Sequence, residues 1–242
     1  MAGKAAESVI VALDVDSREK AMEIVNKLSP GVSWFKVGME LFSAVGPEIV
    51  REIAAMGARV FVDLKFHDIP NTVAGAGAAI TRLGAAMFNV HCSGGREMMR
   101  LTLERSRESA LKLGLNLPKI IGVTVLTSMS QEVLTGETGV SREMTEQVKA
   151  LAVLAREAGL DGVVASPREI EVIRAACGPD FLIVTPGVRP TWSARDDQRR
   201  VMTPAEAYRL GATHLVVGRP ITGAPDPTEA WGKIIAEMGE KV

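Results

Sequence analysis

Residues 59–72, RVFVDLKFHDIPNT, decide the architecture: a β-branched and aromatic run ends in charged side chains instead of fading into a polar loop. Successive side chains in a strand alternate faces, so Val60, Val62 and Leu64 share one side and Phe61, Asp63 and Lys65 the other. Asp68 follows at the strand's exit, before Ile69-Pro70-Asn71-Thr72, whose proline and asparagine predict a turn into a helix that begins near Asn71 or Thr72. Two carboxylates and an ammonium therefore crowd the end of one strand.

The same strand-then-helix unit recurs on both sides. Upstream, residues 9–14 (VIVALD) form an apolar run ending in an acid, and Ser17 caps a helix with apolar Ala21, Ile24, Val25 and Leu28. Residues 34–38 (WFKVG) form a second strand, followed by a helix over 41–56 that stops at Gly57. The helix after the quoted strand runs over about 72–83 and closes at Gly84. Downstream, strands are predicted at 87–91, 119–126, 162–166, 181–185 and 214–218. The helices between and after them run from the Ser93-Gly94-Gly95 segment to about 113, over about 142–158, from Pro167 to about 176, over 204–210 and over about 227–238.

Eight strands, each apolar enough to be covered on both faces and each followed by a helix, predict a parallel sheet closed into a single (β/α)8 barrel, the TIM-barrel form of the α/β class. An open doubly wound sheet is the alternative. Against it, no G-x-G-x-x-G follows the first strand, and charged or small polar residues recur at the carboxyl ends of many strands, as the one active face of a barrel requires.

At 242 residues the chain suits one such barrel spanning 1–242, with MAGKAAES at 1–8 expected as a loose tail. Hydrophobic residues make up 47% and charged residues 24%, and a net charge of −1 gives no overall bias toward nucleic acid or membrane, so any anion must be held by a local site. Neither a signal-like apolar stretch near Met1 nor a run of about 18 uninterrupted apolar residues occurs, which points to a soluble, cytoplasmic chain. Cys92 and Cys177 are too few for a disulfide framework and read as reduced thiols. His67, His91 and His214 show no ligand spacing, so no metal site is assigned.

In a barrel, Asp14, Lys36, Asp63 and Lys65 come from three neighbouring strands and converge at the C-terminal mouth with alternating signs. A structural ion-pair network is one explanation. Desolvating ions is costly, however, and buried pairs are often replaced by hydrophobes without loss, so four together are better explained by a ligand. Opposite charges nearby favour the charged forms, which makes Lys65 an acid or a cation and not a Schiff-base nucleophile.

A second cluster comprises Thr185-Pro-Gly-Val-Arg-Pro190 and Val217-Gly-Arg-Pro220, at the ends of strands seven and eight, where barrels often bind phosphate. Gly187 and Gly218 open the backbone to an anion, and Arg189 and Arg219 offer forked donors. The intervening WSARDDQRRVM, residues 192–202, is long for a βα connection and polar, as a gate over a charged ligand would be; a simple mobile loop is the alternative.

Through DLKFHDIPNT (63–72), the ALD ending at Asp14, FKVG (35–38), VTVLTS (123–128), TPGVRP (185–190), the DDQ ending at Gln198 and VVGRPI (216–221), the chain resembles the orotidine 5′-monophosphate decarboxylase family over essentially its whole length. The D-x-K-x-x-D spacing alone is shared with a wider group of barrel enzymes; the extended motif with the late PGVRP and VGRPI segments is specific to this family. The resemblance implies decarboxylation of orotidine 5′-monophosphate to uridine 5′-monophosphate, the last step of pyrimidine nucleotide synthesis, with neither metal nor organic cofactor.

Position by position, the resemblance makes Lys65 the proton donor to C6 of the pyrimidine and sets Asp63 beside the departing carboxylate. Asp14 and Lys36 hold the ribose hydroxyls and orient the charged array, Thr127 contacts the pyrimidine, and Arg189, Gln198, Gly218 and Arg219 grip the phosphate. It further implies a homodimer in which Asp68 and Thr72 reach the partner's site. Two rivals remain: a metal-dependent sugar-phosphate lyase or aldolase of the same barrel group, whose metal site calls for an acid where this chain has Lys36, and a catalytically silent nucleotide-binding barrel.

Overall fold

The computed structural model describes residues 3–29, 31–192 and 202–239. In chain order its elements are α1 (Lys4–Glu7), β1 (Val9–Ala12), α2 (Arg18–Leu28), β2 (Trp34–Gly38), α3 (Met39–Val45), α4 (Glu48–Ala55), β3 (Arg59–Phe66), α5 (Pro70–Arg82), β4 (Met87–His91) and α6 (Gly95–Leu113). Then come β5 (Lys119–Val123), α7 (Gln131–Gly136), α8 (Met144–Glu157), β6 (Gly162–Val164), α9 (Ile170–Cys177), β7 (Leu182–Pro186), α10 (Pro204–Arg209), β8 (His214–Val217), α11 (Arg219–Thr222) and α12 (Pro227–Gly239).

The strands pair in parallel, each with its successor, and β8 returns to β1 through Val9 opposite Leu215 and Val11 opposite Val217, closing the (β/α)8 barrel that the sequence predicts. Alternation along each strand divides the apolar side chains in two. Ile10, Trp34, Phe61, Met87, Ile121, Val184 and Val216 fill the barrel interior, while Val9, Val11, Phe35, Val60, Val62 and Phe88 pack outward beneath the helices. Each fully buried side chain of this size contributes about 1.5–3 kcal/mol relative to exposure, so register is strongly specified: a slip by one residue would exchange the two layers.

Several local expectations are corrected. The helix expected over 41–56 is two, α3 and α4, because Pro47 disfavours helical backbone at Gly46, which instead takes φ 80° while its N–H closes α3 on the Phe42 carbonyl at 2.9 Å. Residues 4–8 of the expected loose tail are ordered on the barrel's N-terminal end. Ala6 and Ser8 are buried there, and Glu7 pairs with Arg59 and accepts from the Ser33 hydroxyl at 2.9 Å. Helix α5 begins at Pro70, ahead of Asn71, since proline is pre-organised for a first helical turn and has no N–H to leave unpaired.

Cys92 and Cys177 are free and buried, and burial pushes the Cys92 thiol up to about 12, which leaves it inert at neutral pH. Among the described residues no helix is long and apolar enough to cross a membrane.

Candidate active site

Parallel closure puts every strand's carboxyl end on one face, and there β1, β2 and β3 bring four charges together. Lys36, on β2, is buried, and its ammonium donates to Asp14 Oδ1 at 2.8 Å and lies 3.6 Å from Asp63 Oδ2. Asp63 Oδ1 in turn accepts from Lys65 Nζ at 2.7 Å. The side chains therefore run Asp14, Lys36, Asp63, Lys65 with signs alternating, as the sequence anticipates. Asp14, two residues beyond β1, is half open to solvent, whereas the Asp63 side chain is only 15% exposed.

Burial alone would push the Asp63 carboxyl up. The charges of Lys36 and Lys65, with hydrogen bonds donated by Lys65 and Asn89, outweigh it and hold the group below the usual carboxylate range. The site thus keeps an ionised carboxylate in a largely desolvated position. Close packing of Lys36 depends on Gly38, which lies opposite Asp63 in the sheet: a Cβ there would stand 2.7 Å from Lys36 Nζ and 3.4 Å from Asp14 Oδ1.

The residues that the sequence expects at a phosphate end follow strands that open on this face. Gly218 precedes α11, and a Cβ on it would lie 3.5 Å from Asp14 Oδ2, so the end of β8 adjoins the charged array. Arg219, at the start of α11, is exposed; Gly187, past β7, takes φ 78°. The Arg189 N–H donates to the Met202 carbonyl at 3.1 Å, joining the two stems of the long connection. Gln198 lies outside the described residues, as do its neighbours Arg195, Arg199 and Arg200. Thr127 is exposed in the loop after β5, on a cleft of about 1140 Å³ that Gly187 and Met202 also line.

Asp68 and Thr72 are not drawn into the array of their own chain. Both are exposed at the junction of β3 and α5, Asp68 accepting from the Ile69 N–H at 2.6 Å, and the Ile69 side chain between them is 67% exposed.

One residue that the sequence reasoning passes over belongs to the site. Asn89 on β4 is fully buried, and its amide contacts both Asp63 and Lys65. Its signal was available: Asn89 has the parity of Met87, on the inward face of a strand with no other reason to bury an amide. His67 and His91 stand beside the array with ring centroids 5.3 Å apart. Burial, then the neighbouring His67 and Lys65, lowers the His91 pKa against an opposing pull from Asp63. His214 lies at the opposite end of the barrel, edge-on to Trp34, where burial pushes its pKa down to about 4. No group of three or more His, Cys, Asp or Glu side chains suited to a metal ion occurs among the described residues.

A closed parallel barrel carrying alternating carboxylates and ammoniums at its C-terminal mouth is the arrangement of a barrel enzyme, whose active site sits on that face. Residues 7–234 match the Orotidine 5'-phosphate decarboxylase / HUMPS family, and the chain belongs to it. The orotidine 5'-phosphate decarboxylase of Moorella thermoacetica is 58% identical over 234 residues, 97% of this chain and 93% of the relative. That of Syntrophomonas wolfei is 56% identical over 98% of this chain and all of its own length. Among solved structures, orotidine 5'-phosphate decarboxylase from Lactobacillus acidophilus superposes with a TM-score of 0.86 at 39% identity, covering 97% of this chain and all of the other.

Proposed function

We propose that this chain removes the carboxylate of orotidine 5′-monophosphate to give uridine 5′-monophosphate in pyrimidine nucleotide synthesis, using its own charged array and neither metal nor organic cofactor. The observation that carries the proposal is the Lys65 ammonium held 2.7 Å from a desolvated, ionised Asp63 at the barrel mouth. Breaking the C6–carboxylate bond leaves the electron pair on C6, where no ring orbital delocalises it. Lys65 stabilises that developing charge as a fixed cation and then gives it a proton, to be recharged from solvent. Asp63 faces the substrate carboxylate, so that their repulsion is relieved as neutral carbon dioxide departs. Family membership supports the choice of substrate.

The remaining roles are those that the family resemblance implies. Asp14 and Lys36 take the ribose hydroxyls, Thr127 the pyrimidine, and Gly218, Arg219, Arg189 and Gln198 the phosphate, whose remote binding energy offsets the strain at C6. The test is to supply substrate labelled with ¹³C in the carboxylate: labelled carbon dioxide and uridine 5′-monophosphate should form in equal amounts. Binding without turnover would leave a silent barrel, and turnover lost on chelation would indicate metal chemistry.

Gly38 provides a sharper check of the array. In Gly38→Ala the new methyl group meets only the far end of the flexible Lys36 side chain and the edge of Asp14, so the fold should persist with a melting temperature within a few degrees, while the displaced ammonium lowers turnover by ~10- to 100-fold. Unchanged turnover would show that the placement of Lys36 is unimportant.

The exposed Asp68, Ile69 and Thr72 beside the mouth support a homodimer in which Asp68 and Thr72 complete the partner's site. Mixing subunits bearing Lys65→Ala with subunits bearing Asp68→Ala, each inactive alone, should restore about a quarter of the native activity, because half the dimers are mixed and each of those holds one intact site. A mixture no more active than its better parent would contradict the shared site.

A further inference from the structure

Strand β3 is longer than its neighbour at the functional end. Val62 pairs with Phe88 and Phe66 with Val90, so residues 63, 64 and 65 stand opposite the single residue Asn89. A bulge of this kind re-aims side chains and takes backbone groups out of the ladder. Lys65 sits within it at φ 53°, the only non-glycine among the described residues with positive φ, a conformation that a long side chain keeps only when its surroundings enforce it.

The Asn89 amide supplies that enforcement. Its Oδ1 accepts the Lys65 N–H at 2.8 Å, replacing the lost ladder bond. Its Nδ2 donates at 2.7 Å to Asp63 Oδ1, the same oxygen that receives Lys65 Nζ at 2.7 Å. The amide's orientation is fixed, since a backbone N–H can only donate. We propose that Asn89 is a positioning residue: one buried amide locks the left-handed backbone of Lys65 and the rotamer of Asp63 together, so that ammonium and carboxylate keep their spacing when substrate enters. The inference rests on the decarboxylation proposed above.

An amide is suited to this because it presents a donor and an acceptor at a fixed separation. Alanine removes both. An ionised aspartate keeps the acceptor for Lys65 but sets a second negative charge against Asp63 Oδ1; once protonated, it again offers one donor and one acceptor. The charged and titratable groups around position 89 are Asp63 and Lys65 on β3, Lys36 beyond Asp63 on β2, and His91 with its neighbour His67, while Ile121, opposite on β5, is apolar. His91 and His67 are common to native protein and variants, so a pH effect confined to the aspartate variant reports on residue 89.

The experiment measures orotidine 5′-monophosphate decarboxylation and uridine 5′-monophosphate binding in native protein, Asn89→Ala and Asn89→Asp between pH 5 and 8. Asn89→Ala should lose ~100-fold in kcat, with KM and product binding within about 3-fold of native. Asn89→Asp should be as impaired at pH 8 and recover at least ~10-fold relative to native protein as the pH falls to 5. A kcat for Asn89→Ala within about 3-fold of native, or no acid recovery in Asn89→Asp, would overturn the role. If Asn89→Ala does not fold, Asn89→Asp decides alone. Failure of the decarboxylation proposal is read separately: no turnover by the native protein removes the reaction and this inference with it, whereas native turnover matched by Asn89→Ala removes the inference only.

Discussion

Lys65→Ala is expected to lower kcat for orotidine 5′-monophosphate decarboxylation by at least ~10⁴-fold while binding of uridine 5′-monophosphate stays within a few-fold of native. Two losses combine in this substitution. The cation opposite the developing charge at C6 disappears, and so does the proton that ends the reaction; each effect alone is typically worth ~10²-fold or more. Product binding is spared because the groups assigned to phosphate lie beyond the carboxyl ends of β7 and β8, not on β3. The array itself is left with Asp63 still beside Lys36 at 3.6 Å, so the fold survives. A loss of less than 10-fold, or parallel losses in turnover and product binding, would contradict the assignment of Lys65 as proton donor.

Asp63→Asn is expected to reduce kcat by ~10²- to 10³-fold and, unlike Lys65→Ala, to tighten binding of the carboxylate-bearing substrate. Two unit charges about 4 Å apart repel by roughly 4 kcal/mol at an effective dielectric near 20, equivalent to nearly three decades if the repulsion is wholly relieved in the transition state. Weaker binding of orotidine 5′-monophosphate in the variant would remove the strain argument. Stability carries a second signature. Asp63 has a folded-state pKa below its unfolded value, so its stabilising contribution is present above about pH 4 and lost as pH falls through the folded pKa. Without that carboxylate, two ammoniums largely removed from water lose a counter-ion, costing about 3 kcal/mol at neutral pH, and the acid limb of the stability profile should flatten. Denaturant unfolding across pH 2–7 reads both effects; an unchanged acid limb would mean that Asp63 is not the group that titrates there.

The parts of this molecule most readable in its sequence are those fixed by strand periodicity. Phe61 and Asp63 share parity in RVFVD, and Phe61 fills the barrel interior while Val60 and Val62 are claimed by the layer beneath the helices. Lys65 meets Asp63 from a bulge, at φ 53°, that alternation does not foresee, whereas Asp63 reaches Lys36 and Asn89 as that parity predicts. Asp14 and Lys36 were placed by the same logic, since parallel closure sends every strand end to one face. What escaped was set by offsets between strands. Asn89 meets Lys65 only because β3 gains two residues on β4, and no glycine or proline at 63–65 announces that bulge; a lysine carries the left-handed backbone instead. The break at Gly46-Pro47 was visible as a dipeptide, yet the apolar periodicity on both sides masked it. The ordering of residues 4–8 depends on Arg59 and Ser33, partners more than 25 residues away that no local pattern reveals.

The most direct measurement mixes chelator-treated protein with orotidine 5′-monophosphate and follows the ultraviolet absorbance of the pyrimidine, with Lys65→Ala alongside. Fast loss of the orotate signal in the native protein, undiminished by chelator and absent in the variant, is the predicted result. An orotate signal that persists in the native protein, or that disappears equally in Lys65→Ala, would contradict decarboxylation by this charged array.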